Sequence, residues 1–202
     1  MLRISATILF LSPAIASAQC VTSADLNTGV TVEYANGNVS HIQRAADGTL
    51  LDAHENYSSY QDETIFFGSH SSIFQTARVT HQKGDWEAQG KVSISYDFAP
   101  ESVTSFAVGE RGNGTHTAAS DNGYESGDSQ FGWMVYESAP LEVGNCSYAA
   151  VRVFTSQVRV NRGDVIVREV MYLSELGFGI VLGDSYYALP ASNYIIANLT
   201  AD

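Results

Sequence analysis

Hydrophobic and polar residues alternate along much of the chain, with the two-residue period that is typical of β-strands. The alternation is clearest in residues 91–98, where every second side chain is apolar or aromatic: Val92, Ile94, Tyr96 and Phe98. The side chains between them are serines or charged residues. This pattern predicts a strand with one face in a hydrophobic core and the other face in water.

Turn sequences divide the first part of the chain into further strands. Asn36-Gly37 and Asp47-Gly48 each lie between two runs of alternating apolar and polar residues. An Asn-Gly or Asp-Gly pair between two such runs favours a tight hairpin turn. Residues 29–55 are therefore predicted to form a three-stranded meander. Short apolar runs predict further strands at residues 64–67, 72–79, 103–108 and 131–135.

A high density of β-branched and aromatic residues marks residues 144–190, and these residue types favour strands. The pattern predicts strands at residues 148–160, 165–173, 180–182 and 186–189, with turns at 161–164 and at Gly183-Asp184. In the second of these strands both faces are apolar, one through Met171 and the other through Val170. We expect such a strand to be covered on both sides.

Residues 110–130 lack this periodicity. They are polar, contain four glycines and include Tyr124 as their one large aromatic residue, so they predict a mobile loop, or alternatively a functional lid. No strong amphipathic helix is found along the chain. The sequence therefore predicts an all-β fold: a single antiparallel domain with a meander-type curved sheet, arranged as a half-barrel or a sandwich.

Residues 1–18 have the features of a secretory signal peptide. Arg3 precedes a short apolar centre, and Ala16-Ser17-Ala18 fits the cleavage pattern of small residues. Residues 19–202 would then form the mature domain, located in the periplasm or secreted. The alternative is a lipoprotein acylated at Cys20, which Gln19 disfavours because a small residue should precede the modified cysteine.

The chain has two cysteines, Cys20 and Cys146. In an exported protein, two cysteines with no third cysteine predict one disulfide. A redox-active pair would be expected closer together, as in Cys-x-x-Cys. We therefore expect the Cys20–Cys146 bond to be structural and to tie the N-terminus to the strands near residue 146.

The charge balance excludes some classes of partner. The chain has 10 basic and 22 acidic residues, with a formal net charge of −12, and no cluster of Lys and Arg is present in the sequence. Nucleic-acid binding, which needs a basic surface, is disfavoured. The apolar stretch of the signal peptide is too short to span a bilayer, and no other run approaches the ~20 residues of a membrane helix, so no membrane span is expected.

No catalytic or metal-binding motif is recognisable. The five histidines show none of the spacings of metal sites: His41, His54, His70, His81 and His116. Gly-Asp-Ser, which resembles the nucleophile block of one hydrolase family, occurs twice and ends at Ser129 and Ser185. That block is expected in an α/β domain with a catalytic histidine later in the chain, but no α/β alternation is found and the last histidine, His116, precedes both copies. Both copies are therefore interpreted as turns, and a Gly-x-Ser-x-Gly elbow is missing as well. We predict no metal, no cofactor and no catalytic residues. The alternative is an exported hydrolase whose site is assembled only in three dimensions.

Residues 172–177, Tyr-Leu-Ser-Glu-Leu-Gly, resemble the Tyr-x-x-Glu-Leu-Gly strand end of uncharacterised secreted or periplasmic β-rich proteins of Gram-negative bacteria. Some of those proteins resemble half-barrels of the lipoprotein-carrier type. In that group Pro often stands where this chain has Ser174. The resemblance implies a β-rich fold and export from the cytoplasm, and it implies no catalytic residue.

Aromatic residues are the remaining candidates for function. The chain has 11 Tyr, nine Phe and two Trp, and an aromatic concave sheet suits an apolar ligand. We therefore predict a non-enzymatic domain that binds an apolar small molecule or a protein partner, with Tyr172, Phe178 and Tyr186 as candidate contacts. The alternatives are that these three side chains pack the core, or that the protein has a structural role in the cell envelope.

Overall fold

The computed structural model describes most of the chain outside the predicted signal peptide at residues 1–18. The described ranges are 19–55, 63–82, 91–121, 126–159, 163–187 and 194–202. They contain fourteen strands: β1 Val30–Tyr34, β2 Val39–Arg44, β3 Leu50–Glu55, β4 Glu63–His70, β5 Phe74–Gln82, β6 Lys91–Tyr96, β7 Arg111–Ser120, β8 Ser126–Ser138, β9 Leu141–Val143, β10 Cys146–Tyr148, β11 Ala150–Arg159, β12 Asp164–Leu173, β13 Phe178–Tyr186 and β14 Ile196–Ala201.

Twelve of these strands form one antiparallel sheet, in the order β13-β12-β11-β8-β7-β6-β5-β4-β3-β2-β1-β14. Most neighbours in the sheet are also neighbours in sequence, as in a meander. Two connections differ: the β9–β10 hairpin is inserted between β8 and β11, and β14 returns to pair with β1. The sheet is curved and does not close. The predicted all-β, single-domain fold with a curved antiparallel sheet is confirmed.

The predicted meander at residues 29–55 is confirmed as β1, β2 and β3. Its two turns place Gly37 and Gly48 at φ of 88° and 86°. Side chains with a Cβ avoid this region of backbone conformation, whereas glycine adopts it readily. The Asn-Gly and Asp-Gly pairs therefore set the two turns, as the sequence predicted.

The prediction of a mobile loop at residues 110–130 is wrong, because β7 and β8 pair through most of this segment. Residues 122–125 lie outside the described residues. The glycines mark close packing here: a Cβ at Gly112 would lie 2.5 Å from Nε1 of Trp133, and one at Gly114 would lie 2.8 Å from Cδ1 of Phe98. Glycine is present in these strands because aromatic rings lie directly over them.

Two smaller predictions are also wrong. Residues 103–108 form no strand, and after the 3₁₀ turn Pro100–Ser102 this segment places Phe106 in the core. Both Gly-Asp-Ser sequences lie inside strands, β8 and β13, where turns had been predicted. In β13, Gly183 pairs with Glu169, and an irregularity in the β12–β13 register follows this pair. The strand therefore continues through the glycine.

The core consists of two hydrophobic clusters on opposite faces of β12. Val170 and Tyr172 belong to one cluster, which also contains Phe74. Met171 and Leu173 belong to the other, which contains residues of β1, β2, β3 and β14. Because successive side chains of a strand point to opposite faces, the prediction that this strand is covered on both sides is confirmed.

The disulfide Cys20–Cys146 is present, with a Cα–Cα distance of 5.5 Å, and its prediction is confirmed. It fixes the N-terminal segment to the β9–β10 hairpin. The backbone N–H of Val21 donates a hydrogen bond of 2.9 Å to the hydroxyl of Tyr148 in the same hairpin. A disulfide is compatible with the predicted export. Within the described ranges, no helix has the length and apolar character needed to cross a bilayer.

Candidate functional site

The curvature of the sheet encloses a cavity of about 210 Å³ between strands β4–β8 on one side and β11–β13 on the other. We call it the inner cavity. Its wall is formed by inward-facing side chains of these eight strands. The predicted inward face of residues 91–96 is confirmed here, since Val92, Ile94 and Tyr96 of β6 line the cavity.

One part of the wall is aromatic. Tyr96 and Phe131 lie with their ring centroids 5.4 Å apart in an edge-to-face arrangement, and Phe67 lines the same cavity. Burial raises the pKa of the Tyr96 hydroxyl, and the charge of Arg168 opposes that shift only in part. The phenol therefore stays neutral at physiological pH, and this part of the wall carries no charge.

Another part of the wall is basic. Arg78 of β5, Arg159 of β11 and Arg168 of β12 all line the inner cavity. Arg159 Nε donates to Oδ1 of Asp164 at 2.8 Å. Arg168 Nη2 lies 3.7 Å from Oδ2 of Asp184, and its guanidinium carbon lies 5.7 Å from the centre of the Phe67 ring. At least two of the three arginines are thus paired with aspartates.

His116 of β7 also lines the inner cavity. Its side chain is 4% exposed, and its ring packs against Tyr96 and Phe131 at 5.6 and 5.8 Å between centroids. Among the described residues, neither ring nitrogen of His116 has a hydrogen-bond partner. Burial lowers the pKa of His116, so the imidazole is neutral at pH 7. A buried imidazole that lines a cavity without a protein partner indicates a bound water or ligand.

This burial predicts a pH dependence of stability. Because the pKa of His116 is lower in the folded chain than in the unfolded chain, protons bind the unfolded chain preferentially as pH falls below ~6.5. His116→Phe should therefore lose less stability than the wild type between pH 7.5 and pH 5, measured by urea unfolding. Ala119→Phe, on the exposed face of the same strand, should keep the wild-type slope. If the stability of His116→Phe decreased with pH as steeply as that of the wild type, the lowered pKa of His116 in the folded chain would be contradicted.

The three aromatic residues singled out from the sequence do not face one common space. Tyr172 lies in the cluster with Phe74, where its ring centroid is 4.5 Å from that of Phe106. Phe178 lies in the other cluster and is fully buried. Tyr186 is 61% exposed and borders the inner cavity. Their binding role stays a prediction, and of the three Tyr186 is placed to contact a molecule in the cavity.

A second group of polar side chains lies between β2 and β3. Ser40 Oγ is 2.7 Å from Nδ1 of His54, and Nε2 of His54 is 2.9 Å from Oδ2 of Asp52. Ser, His and Asp are also the residue types of the catalytic triad in serine hydrolases. However, Ser40 is 0% exposed, so no substrate can reach its hydroxyl. The arrangement is a buried hydrogen-bond network, with a void of about 10 Å³ beside Asp52 and His54 that has the size of one water.

Sequence reasoning missed most of these polar residues, although a signal for them was present. In β3 the inward positions are Leu50, Asp52 and His54, so two polar side chains occupy places where an apolar residue is expected. Arg168 likewise shares a face with Val170. Polar residues at inward positions of a strand indicate either a buried network or a cavity. Which of the two is formed depends on how the sheet curves.

A metal site is not indicated by the side chains that the structure describes, since no three His, Cys, Asp or Glu residues converge within this part of the chain. Neither family models, nor curated proteins, nor solved structures match this chain.

Proposed function

We propose that the protein binds a small, largely apolar molecule in the inner cavity and does not transform it chemically. The observation that carries this proposal is the buried side chain of His116, which lines the inner cavity and, among the described residues, has no hydrogen-bond partner at either ring nitrogen. A cavity of about 150 Å³ is large enough for benzene. The inner cavity, at about 210 Å³, has room for one aromatic ring with a short substituent.

The residues around His116 and around Ser40 favour a binding function over a catalytic one. A catalytic histidine is usually oriented by a carboxylate and hydrogen-bonded to a nucleophile. His116 packs against two aromatic rings, and within the described part of the chain it is hydrogen-bonded neither to a carboxylate nor to a nucleophile. In the other group, Ser40 does have a histidine neighbour but is inaccessible. Neither place supports the hydrolase alternative.

The place of action that fits this proposal is the periplasm or the exterior of the cell. The predicted signal peptide and the Cys20–Cys146 disulfide both support export. A small molecule is favoured over a protein partner as the ligand because the cavity lies within the curve of the sheet. A protein partner would require an exposed surface of several hundred Å².

Filling the cavity should abolish binding. Ala118 of β7 lines the inner cavity, whereas Ala119 of the same strand is exposed. We expect wild-type protein to bind at least one of phenylacetate, phenylacetamide and 2-phenylethanol at millimolar concentration, detected by chemical-shift changes in ¹H–¹⁵N spectra. Ala118→Phe should weaken that binding by about tenfold or more because its ring occupies the space of the ligand. Ala119→Phe is the matched control and should bind as the wild type does.

Two outcomes would contradict the proposal. Either none of the three compounds shifts the resonances of cavity residues in the wild type, or Ala118→Phe binds as tightly as Ala119→Phe. Thermal unfolding of both variants shows whether each is folded. If Ala118→Phe does not fold, Thr155→Leu introduces a bulkier side chain from β11 into the same cavity, and it should weaken binding in the same way.

A further inference from the structure

We infer that the void beside Asp52 and His54 is a binding site for one water molecule, which Asp52, Ser69 and Ser72 hold by hydrogen bonds. This site is separate from the one proposed for a ligand in the inner cavity, and it does not depend on that proposal. Three features of the void carry the inference: unpaired buried oxygens, a volume that fits one water, and a strained turn that forms part of its lining.

The first feature is a set of buried side-chain oxygens that line the void. Oδ1 of Asp52, Oγ of Ser69 and Oγ of Ser72 have no hydrogen-bond partner among the described residues. These residues are 6%, 2% and 8% exposed, so bulk water does not solvate their side chains. The second oxygen of Asp52 is occupied, since it lies 2.9 Å from Nε2 of His54. In native proteins, buried polar groups of this kind are usually bonded to protein or to an ordered water.

The second feature is the volume of the void. At about 10 Å³, it corresponds to the space that a single water requires, and it excludes organic ligands. Buried waters usually make about three hydrogen bonds. The three unpaired oxygens supply that number, so one water would satisfy all of them.

The groups around the void favour water over a metal cation. Hard cations such as Mg²⁺ and Ca²⁺ take six or more oxygen ligands, whereas the described lining offers three unpaired side-chain oxygens. Arg168 also lines the void, and its positive charge opposes a cation at short distance. A water is neutral, and it can donate to the carboxylate of Asp52 while it accepts from a serine hydroxyl.

The third feature is the backbone of the turn between β4 and β5. Ser71 and Ser72 have φ of 56° and 58°, a conformation that is uncommon for residues with a Cβ. Strained residues of this kind persist where their surroundings hold them in place. The water would bond this turn to Asp52 of β3, which is joined through His54 to Ser40 of β2. The site therefore links β2, β3 and the turn in one buried network.

A crystal structure and oxygen-17 relaxation dispersion test the inference. Crystals of the wild type that resolve ordered waters should show one water within hydrogen-bond distance of Asp52, Ser69 and Ser72. Relaxation dispersion counts long-lived waters in solution. That count should fall by one in Ser69→Ala/Ser72→Ala, because a buried water needs at least two partners. The matched control is Ser93→Ala/Ser95→Ala, which removes two exposed hydroxyls from β6 and should keep the wild-type count.

Three results would overturn the inference. They are a void without ordered density in wild-type crystals, density with the ligand number and distances of a metal ion, or an unchanged water count in folded Ser69→Ala/Ser72→Ala. If that variant does not fold, Ser72→Ala replaces it. Loss of one hydrogen bond should then shorten the residence time of the water about fivefold, and an unchanged residence time would overturn the inference. None of these results changes the expected binding in the inner cavity, so the proposed function is tested separately.

Discussion

Replacing Phe74 by alanine is expected to lower the free energy of unfolding by about 3–5 kcal/mol. Phe74 is 0% exposed, and it lies at the centre of an aromatic cluster. Five rings have their centroids 5.7 to 6.4 Å from its own: Tyr96, Phe98, Phe106, Phe131 and Trp133. Because these rings come from β6, from β8 and from the segment between β6 and β7, they cannot all move to fill the space that the substitution leaves.

Urea unfolding followed by circular dichroism measures this change. The control is Leu51→Ala, since Leu51 is 49% exposed and its replacement should cost less than about 1 kcal/mol. A loss of less than 1 kcal/mol for Phe74→Ala would show that the cluster does not support the sheet. Phe74→Leu should lie between the wild type and Phe74→Ala, because it leaves a smaller cavity.

Removing the disulfide is expected to lower the free energy of unfolding by an amount similar to that expected for Phe74→Ala. The bond joins residues that are 126 positions apart, and in the chain-entropy model a loop of this length stabilises the fold by about 4–5 kcal/mol. We expect the double variant Cys20→Ser/Cys146→Ser to lose about 2–5 kcal/mol of unfolding free energy, because native disulfides usually contribute in this range. The loss should appear as a lower urea midpoint than that of the oxidised wild type.

The control for the disulfide is Ser147→Ala, an exposed serine beside Cys146 in the same hairpin. It changes one side chain of β10 without opening the covalent loop, and its stability should stay within about 1 kcal/mol of the wild type. If the double variant were as stable as Ser147→Ala, the disulfide would not be a structural constraint on the native fold.

Most of the sheet could be predicted because local signals agree with the final structure. Alternation identified β6, and the Asn36-Gly37 and Asp47-Gly48 turns identified β1 to β3. The failures occurred where tertiary contacts decide. In β7 and β8 a polar, glycine-rich sequence resembles a loop, and only the positions of Trp133 and Phe98 explain why glycine is required there. Such contacts cannot be deduced from local sequence.

The inner cavity was less predictable than the fold for a related reason. Its wall takes one to three residues from each of eight strands, so many residues that face each other across the cavity are distant in sequence. The pattern did place Arg168 on the same face as Val170 and Tyr172. It could not show that this face curves toward His116, because the curvature of a sheet results from the packing of all its strands. Choosing aromatic residues for the site therefore selected core side chains such as Phe178.

The pairing of β14 with β1 has a consequence for how the protein folds. Val30 is opposite Ala201 in this pair, and the hydroxyl of Thr31 donates a hydrogen bond to Asp202, 171 residues away in sequence. During synthesis the outer edge of β1 therefore has no partner until β14, at residues 196–201, has been made. Contacts over such sequence separations raise the contact order, which slows folding. The exposed edge is then the place where a chaperone, or a second nascent chain, can pair with the protein before β14 has been synthesised.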